Sequence, residues 1–507
     1  MPFPDLDLIQ DWPAFVKDPL KKIDESMRVK DVQSCLLLEH HVRISDALSH
    51  LPDHRLADIP SFNHASRLAN RSLVRFTCMV QDMFDPEFYL ARFETRNKET
   101  GEYGTGYGMY RDSISDSDVL DVDYDSVGNA MQDRMTYLCI AVPGENDWVR
   151  ERQTPKSEGE PMDSSELDHS VAAPSDQSMS SGDENVKRFK PDKEEAAQMR
   201  TSLNQCFPSI DESAKKLALV KVYDTRELTL KLNDMVEVIG IMDIGEDVTG
   251  EKREDPESGT VTGAVQLDES NFSLPAVVAP QIHALCVQKL HHLNPLVGNP
   301  RSGMGTGTAE AVDAVDGEFC QKMRKELHAV LSLCLFGDEL AAEYLICCLI
   351  SRIYARQEIL SLGSLSAGFS NLPRSSRPEM REYMKWLYQL MSSLVTHSVY
   401  LPMSLETLNG RSFIPQKDHS CNKLVSGQLQ LAPETLLFVD ETALEPGKLE
   451  ERGLLNLKSL GELIKWQQLK YDFVYHSMEV NTDMKIMVFS EGKSLLPLNF
   501  RIPLEVI

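Results

Sequence analysis

The sequence predicts a multidomain protein of mixed class, in which an all-β domain is followed by an α/β domain. Its 507 residues are enough for about two to four domains, and a hydrophobic content of 42% is ordinary for a globular protein. Between Leu73 and Met242 the apolar residues alternate with a period of two, whereas after Phe319 they recur at helical spacing. This change of period is the main reason for placing the all-β domain first.

Residues 1–68 predict a small, mostly helical region. Apolar residues recur at roughly helical spacing from Val29 to Leu51. His40 and His41 lie within this stretch, but no neighbouring acid or cysteine completes a metal-ligand set, so we expect them to be polar surface. The N-terminus has neither a basic segment nor an apolar core, and we therefore expect no signal peptide.

Residues 69–290 predict an all-β domain of about five antiparallel strands joined by uneven loops, which is typical of a small barrel of the OB type. Its aromatic residues lie among acids rather than bases, so we expect a structural or protein-binding module. We also expect a hairpin tip at residues 101–112, with Gly104 and Gly106 in turn positions, and a final strand-to-helix element at residues 274–292. The predicted strands are Leu73–Val80, Phe88–Phe93, Met135–Val142, Ala218–Tyr223 and Met235–Met242.

A polar segment at about residues 150–212 predicts a disordered insertion in the β-domain. It is rich in Ser, Glu, Asp, Pro and Gln, so it cannot bury enough apolar surface to offset the entropy of ordering. Within it, Lys187, Arg188 and Lys190 form a basic cluster, which is either a nuclear import signal or a solvated charge patch. A Gly-, Pro- and Ala-containing stretch at residues 291–316 predicts a linker.

The charge and the cysteines exclude several classes of protein. A net charge of −26 argues against nucleic acid as the ligand, because binding to a nucleic-acid backbone depends on Lys and Arg. The same charge favours protein partners with basic surfaces. None of the 10 cysteines forms a CxxC pair or has zinc spacing, so we expect reduced thiols, no metal and an intracellular protein. The apolar patch near Leu340–Ile350 is too short to span a bilayer.

Residues 317–507 predict an α/β domain that begins with an αα-hairpin. Gly337 is expected to end the first helix of the hairpin, and Asp338 is expected to cap the second. The elements that follow are predicted in the order strand, loop, helix, acid-tipped strand, helix and strand. This is the order of an AAA+ ATPase core.

The acid-tipped strand is the apolar run Leu436–Val439, which ends on Asp440 and Glu441. In an NTPase, a strand of this kind, the Walker-B strand, delivers a metal-binding acid and a water-activating acid to the phosphates. The alternative is an unrelated α/β domain in which these two acids begin a surface turn. Residues 492–494, with the sequence Gly-Lys-Ser, are expected to form only a turn, because neither the preceding glycine nor a following helix is present.

The phosphate loop expected upstream is degenerate. A Walker-A loop requires Gly-x-x-x-x-Gly-Lys-Ser/Thr between a strand and a helix, and the frame here begins at Gly368. Pro373 stands in place of the second glycine and has no N–H to offer a phosphate. Arg374 and Ser375 follow in the positions of the lysine and the hydroxyl residue. We therefore predict a pseudo-ATPase with no catalytic residue and no cofactor.

Several long segments carry a family resemblance: TYLCIAVPGENDWV, LKLNDMVEVIGI, GDELAAEYLICCLIS and YDFVYHSMEV. In these segments, and over most of the chain outside 1–20, 150–212 and 245–270, the sequence resembles the minichromosome maintenance (MCM) complex-binding protein family. Separately, SGQLQLAPETLLFVDE is similar to the Walker-B region of MCM helicase subunits. That similarity implies a distant MCM-like layout, with an OB-type barrel followed by an ATPase-like domain.

The resemblance implies a non-enzymatic nuclear protein that binds MCM helicase subunits in place of one regular subunit. Its implied roles are the assembly or protection of MCM subunits, removal of the helicase from chromatin, and sister-chromatid cohesion. It also implies chromatin association through MCM rather than through direct DNA binding, and no membrane partner. Two alternatives remain open: an AAA+-type ATPase acting on replication complexes, and an OB-type binder of single-stranded nucleic acid.

Overall fold

The structure is a computed structural model of a mixed α/β chain with several β-sheets. Among the described residues, no helix is both long and apolar enough to cross a membrane. The import cluster lies outside the described residues, as do the predicted insertion beyond Gln153 and most of the predicted linker. The structure describes residues 11–30, 36–64, 68–98, 100–112, 120–124, 126–153, 216–224, 229–244, 279–297, 317–358, 360–373, 376–418 and 423–505.

The N-terminal region is helical, as predicted. Its apolar side chains, among them Phe15, Ile23 and Ile44, are buried against strands of the following β-region. Burying side chains of this size contributes roughly 1.5–3 kcal/mol each, which holds the helices on the sheet. The helices are α1 (Trp12–Lys17), α2 (Pro19–Lys30), α3 (Leu37–Ser49) and α4 (Asp53–Ala57).

The expectation that His40 and His41 are polar surface is wrong. Both side chains are buried on α3, and Nδ1 of His41 lies 2.8 Å from the hydroxyl oxygen of Tyr110. Burial lowers the pKa of His41 to about 4, so the imidazole is neutral at pH 7. The sequence did not reveal this contact because the two partners are 69 residues apart.

Eight strands form the described part of the β-region, and five of them close into a ring. β1 pairs with both β5 and β7, β7 pairs with β8, β8 pairs in parallel with β6, and β6 pairs with β5. The ring encloses alternate apolar side chains such as Phe76, Val220 and Ile282. The strands are β1 (Leu73–Met83), β2 (Glu87–Asn97), β3 (Tyr103–Tyr107), β4 (Leu120–Asp123), β5 (Ala130–Ala141), β6 (Leu217–Val222), β7 (Met235–Asp243) and β8 (Gln281–Lys289), and α5 (Asp147–Gln153) follows β5.

Two predictions for the β-region are wrong. Gly104 and Gly106 lie within strand β3 rather than at a hairpin tip, and the turn between β2 and β3 is at Gly101, whose φ is 71°. The glycine at 106 is explained by packing, because a Cβ there would lie 2.3 Å from the ring of Phe93. The element ending at residue 292 shows no helix in its described part, because β8 is paired on both sides and buried.

The C-terminal α/β region begins with the predicted αα-hairpin. Gly337 has a φ of 91° at the turn, and the carboxylate of Asp338 accepts a hydrogen bond of 2.9 Å from the backbone N–H of Ala341. The hairpin helices are α6 (Gly317–Cys334) and α7 (Glu339–Ile350), followed by β9 (Ala355–Gln357), β10 (Leu360–Leu362), β11 (Ser366–Ser370), α8 (Arg377–Leu394), β12 (Ser398–Pro402) and α9 (Leu405–Gly410). The remaining elements are β13 (Gln416–Asp418), β14 (Lys423–Val425), β15 (Leu436–Asp440), α10 (Glu451–Trp466), β16 (Gln468–Asp472), β17 (Ser477–Asn481), β18 (Lys485–Phe489) and β19 (Phe500–Pro503).

The central sheet of the C-terminal region is parallel, in the order β12-β15-β18-β11-β19. Its strands are covered on both faces, which explains why Leu436–Val439 is a continuous apolar run rather than an alternating one. Phe438 stacks on Phe489 of the neighbouring strand at a ring distance of 4.7 Å. A second sheet, in the order β14-β13-β16-β17, packs beside the central one.

The two regions meet at a buried, hydrogen-bonded surface, which we call the junction. Nε2 of Gln81 donates to the carbonyl oxygen of Leu424 at 2.8 Å, and the N–H of Leu424 donates to Oδ2 of Asp82 at 2.8 Å. At the other end of the junction, Nδ2 of Asn146 donates to the carbonyl oxygen of Val395 at 2.8 Å. Buried polar groups paired in this way fix the orientation of the two regions.

Candidate functional site

The carboxyl edge of the parallel sheet is where an α/β protein usually binds its ligand. Asp440 is the last residue of β15, and Glu441 begins the short 3₁₀ turn Glu441–Ala443. In the strand order, β18 lies between β15 and β11, the strand that precedes the loop. Ser490 follows β18 directly. The sequence-predicted acids and the loop after Gly368 therefore share one edge of the sheet.

Asp440 is fully buried, and both of its carboxylate oxygens accept hydrogen bonds. Oδ1 accepts from the backbone N–H of Thr442 at 2.9 Å and from the hydroxyl of the same residue at 2.6 Å. Oδ2 accepts from the hydroxyl of Tyr400 on β12 at 2.5 Å. The pKa of Tyr400 is raised by burial and by this carboxylate, so the phenol remains a donor. Asp440 thus caps the turn that follows it.

Glu441 is also turned inward. Its Oε1 accepts from the hydroxyl of Ser494 at 2.9 Å and from the backbone N–H of Leu495 at 3.2 Å. Burial raises the pKa of the Glu441 carboxyl above its usual range, with these hydrogen bonds opposing the shift. Ser494, the serine of the predicted Gly-Lys-Ser turn, therefore binds Glu441 inside the protein.

In its described part, the loop after β11 does not have the geometry of a phosphate cradle. Gly368 lies inside the strand, opposite Val488 on one side and Arg501 on the other, so its backbone belongs to the sheet. A Cβ at Gly368 would lie 2.3 Å from Leu498, which explains the glycine through packing. Pro373 ends the described part of the loop, while Arg374 and Ser375 lie outside the described residues.

Helix α8 begins after this loop and is joined by ion pairs to the loop that follows the acid-tipped strand. Ser376 and Glu379 form a capping box at its start. Arg377 and Arg381 each contact Oε1 of Glu445, at 3.0 Å and 3.2 Å. In the described part of this edge, the acids, hydroxyls and arginines thus bind one another, which links helix α8 to the loop after β15 and that loop to the one after β18.

A second polar centre, which we call the charge cluster, is buried in the β-region. Arg134 on β5 contacts Oε2 of Glu87 at 3.1 Å and Oδ1 of Asp112 at 2.5 Å. Lys221 on β6 contacts the same two carboxylates, at 3.2 Å and 2.6 Å. The charges of Lys221 and Arg134 hold the pKa of Asp112 well below its usual range, against the opposing effect of burial. Two cations and two anions neutralise one another, which is a condition for burying any of them.

His283 lies beside the charge cluster, where its Nε2, one oxygen of Asp112 and one oxygen of Asp243 lie within 4.8 Å of one another. The hydroxyl oxygen of Tyr223 accepts from the N–H of Tyr110 and from Arg134, so its own proton points to Nδ1 of His283 at 2.7 Å. Burial lowers the pKa of His283 to about 3, and the neutral ring therefore carries its proton on Nε2. A metal needs a lone pair at that nitrogen, so this hydrogen-bond arrangement does not fit a metal ion.

The charge cluster was not found from the sequence, although one signal was present. That signal is Lys221, which interrupts the apolar run of β6, whereas Arg134 lies just outside the predicted strand Met135–Val142. The partner acid Asp112 is 109 residues from Lys221 along the chain, so no local pattern links them. Lys187, Arg188 and Lys190 lie outside the described residues, and the structure gives no position for them.

Comparison with known proteins links both regions to one family. The family model described as mini-chromosome maintenance replisome factor matches residues 47–506. Proteins called mini-chromosome maintenance complex-binding protein are 35% identical in Gallus gallus over 88% of this chain and 74% of the relative, and 34% identical in Danio rerio over 92% and 75%. The relative of that name in Drosophila melanogaster is 33% identical over 89% of this chain and 75% of its own length. The chain belongs to the mini-chromosome maintenance replisome factor family.

Proposed function

We propose that this chain is a non-enzymatic binding partner of MCM helicase subunits in DNA replication. The observation that carries the proposal is the extent of the match, because the family model covers residues 47–506 and so includes the β-region, the junction and the parallel sheet. The relatives are named for binding the MCM complex. A chain that shares both regions with them has the surfaces that such binding would use.

The strand pairing supports the finer fold assignments. A closed ring of five strands, in which the third pairs in parallel with the fifth, favours an OB-type barrel. In the parallel sheet, β15 ends on Asp440 and β18 is followed by Ser490. Both ends lie at the same edge of the sheet as the loop after β11. This arrangement favours a degenerate AAA+-like domain over an unrelated α/β domain.

The non-enzymatic part of the proposal rests on what the candidate acids contact. Both carboxylate oxygens of Asp440 accept hydrogen bonds from Tyr400 and Thr442, and Oε1 of Glu441 accepts from Ser494. Neither acid is therefore poised to hold a metal or to activate a water. The single-strand alternative is disfavoured because Arg134 and Lys221 are buried and paired with acids, leaving them unavailable to phosphates.

The cellular role follows from the partner. We infer that the chain acts in the nucleus, associates with chromatin through MCM, and serves the assembly or protection of MCM subunits, removal of the helicase from chromatin, and sister-chromatid cohesion. The import candidates Lys187, Arg188 and Lys190 would supply nuclear entry. These roles require binding to MCM and no chemistry by this chain.

The testing experiment is a pull-down of each purified MCM subunit, with the full-length chain as the primary bait. Capture of at least one subunit by the full chain is expected. Fragments 1–297 and 315–507 then locate the binding region, and the two fragments mixed together are the control for the junction surface that each exposes alone. Failure of the full chain to capture any MCM subunit, alone or from a nuclear extract, would overturn the proposal.

A further inference from the structure

The hairpin between β16 and β17 carries a strained residue at its tip. Val474 has a φ of 67°, and it is the only β-branched residue with positive φ in the described part of the chain. Branching at Cβ makes the left-handed region costly, and glycine or asparagine normally takes such positions. The side chain of Val474 is 64% exposed, so burial within this chain does not offset the strain.

The tip is held in one conformation by local contacts. The N–H of Val474 donates to Oδ1 of Asp472 at 2.9 Å, and the N–H of Phe473 donates to the carbonyl oxygen of His476 at 3.0 Å. The rings of Phe473 and His476 stack at 5.0 Å with an interplanar angle of 8°. With the tip held by these contacts, Tyr475, the residue after Val474, is 87% exposed.

The hairpin is also anchored to the body of the protein. Tyr471 and Met478 are paired across β16 and β17, below the tip. The hydroxyl of Tyr471 donates to Oδ1 of Asn233 in the β-region at 3.0 Å, so the stem of the hairpin is fixed across the junction. A rigid tip loses little conformational entropy when it binds, which makes it suited to a contact with another molecule.

The charge around the tip selects the class of partner. The charged residues of the hairpin are Lys470, Asp472 and Glu479, and Lys470 stands opposite Glu479 in the pairing of β16 with β17, so the hairpin has a net charge of −1. Asp472 is the charged residue nearest the tip, and its negative charge disfavours a phosphate backbone and complements an apolar protein pocket with a basic rim. Tyrosine is among the residues that contribute most to protein interfaces when it enters such a pocket.

We propose that Val474 and Tyr475 form a preformed knob that inserts into an apolar, basic-rimmed pocket on an MCM subunit. This inference rests on the proposed function, which supplies the partner protein. The retained strain at Val474 is consistent with selection for binding, because strained conformations persist where the local geometry serves a function. Relieving that strain should therefore stabilise the chain and weaken its binding.

Two substitutions in the full-length chain separate stability from binding. Val474→Asn suits a positive φ but removes the apolar knob, so we expect a higher Tm and weaker capture of the bound MCM subunit. Tyr475→Ala should weaken capture at least about tenfold without lowering the Tm, because the side chain is exposed. The matched control is Tyr354→Ala, since this tyrosine is 74% exposed in another loop, and it should leave capture unchanged.

Affinity is measured by biolayer interferometry against each purified MCM subunit, and Tm by scanning calorimetry. If the wild-type chain binds a subunit and both hairpin variants bind it within about twofold of wild type, the knob is refuted while the proposed function stands. Equal losses in Tyr475→Ala and Tyr354→Ala would also refute it. If the wild-type chain binds none of the subunits, both the knob and the proposed function are overturned.

Discussion

Tyr400 donates its hydroxyl proton to Oδ2 of Asp440 across a distance of 2.5 Å. The two residues lie on adjacent parallel strands, where Tyr400 stands opposite Phe438 and Pro402 stands opposite Asp440. This contact leaves Asp440 with both oxygens engaged, since Thr442 occupies the other. The acid that the sequence predicts in the place of a Walker-B aspartate is thereby made part of the scaffold.

The first prediction is that the chain does not bind ATP. Addition of millimolar ATP with magnesium should leave the Tm of the full-length chain unchanged, because Asp440 has no free oxygen and Gly368 is part of the sheet. Thermal unfolding followed by scanning fluorimetry tests this, since a ligand that binds the native state raises the Tm further as its concentration increases above its Kd. A Tm that rises steadily with ATP concentration, and not with magnesium alone, would restore the ATPase alternative.

The second prediction uses the substitution that normally inactivates an ATPase. The pKa of Glu441 is raised in the folded chain by burial, so native stability falls as pH rises from the ordinary glutamate pKa through the raised one. Glu441→Gln keeps an oxygen for Ser494 and removes the ionising group. Relative to wild type, the variant should therefore gain stability between pH 4.5 and pH 7.5, measured as the midpoint of urea unfolding.

The control for that experiment is Glu451→Gln, an exposed acid at the start of α10. It should show no gain in stability over the same pH interval. A loss of stability in Glu441→Gln at pH 7.5 would contradict the prediction, because it would mean that the negative charge of Glu441 stabilises the fold.

Local patterns were sufficient for several elements. The apolar run Leu436–Val439 and its two acids predicted a buried strand, and the structure has β15 at Leu436–Asp440. Gly337 and Asp338 predicted the end of one helix and the cap of the next, because each acts through its own backbone or its nearest N–H groups. Such features depend on neighbours in the sequence.

Features that depend on the order of strands were not predictable. The sequence placed Asp440 and Glu441 at the end of one strand, but Tyr400 and Ser494 reach them from other strands and loops. For the same reason Gly106 was assigned to a turn, although the ring of Phe93 on the paired strand explains it. A single sequence carries no direct record of which strands are adjacent.

The third prediction concerns the charge cluster. Arg134→Met removes a side chain that is 1% exposed and leaves Glu87 and Asp112 with Lys221 as their remaining cationic partner. Breaking a buried pair in this way costs about 3–5 kcal/mol, because it leaves an uncompensated charge. The free energy of unfolding in urea, followed by circular dichroism, should fall by about that amount.

Arg75→Met provides the comparison, because Arg75 contacts Glu237 at the longer distance of 3.8 Å and its side chain is 26% exposed, whereas that of Arg134 is 2% exposed. The stability lost in Arg75→Met should therefore be smaller than that lost in Arg134→Met. The double variant Arg134→Met/Glu87→Gln should lose less than the sum of the two single changes, since the second substitution removes the acid left unpaired by the first. Equal losses in Arg134→Met and Arg75→Met would argue against a structural charge cluster.

The fourth prediction concerns nuclear entry. Replacement of Lys187, Arg188 and Lys190 by alanine should move a fluorescently tagged full-length chain from the nucleus to the cytoplasm, because import signals are short basic peptides. The control variant Lys322→Ala/Lys325→Ala removes exposed cations from α6, which is an ordered helix, and should leave the distribution unchanged. Nuclear accumulation of the triple variant equal to that of wild type would assign the basic cluster to solvated surface.

The fifth prediction follows from the junction, which requires glycine at position 144. The φ of Gly144 is 74°, and a Cβ there would lie 2.6 Å from the carbonyl oxygen of Ser398 on the other side of the junction. The side chain of Asn146 also bonds Ser398, and Nε2 of Gln430 donates to the carbonyl oxygen of Gln81 at 3.0 Å. Such close, buried and hydrogen-bonded contacts are characteristic of a permanent interface.

Fragments 1–297 and 315–507, co-expressed as separate chains, should therefore associate and elute together from a size-exclusion column. The first fragment extends to residue 297 because Leu293 is buried at the junction. Asn146→Ala removes the side-chain bonds to Val395 and Ser398, and Gln430→Ala leaves the buried carbonyl of Gln81 without its donor at a cost of about 1–3 kcal/mol. Together the two substitutions should separate the fragments. Gln468→Ala, whose bond to Asn481 is exposed, is the control and should leave the complex intact. Soluble fragments that elute apart without any substitution would show that the covalent linker, not the junction, holds the two regions together.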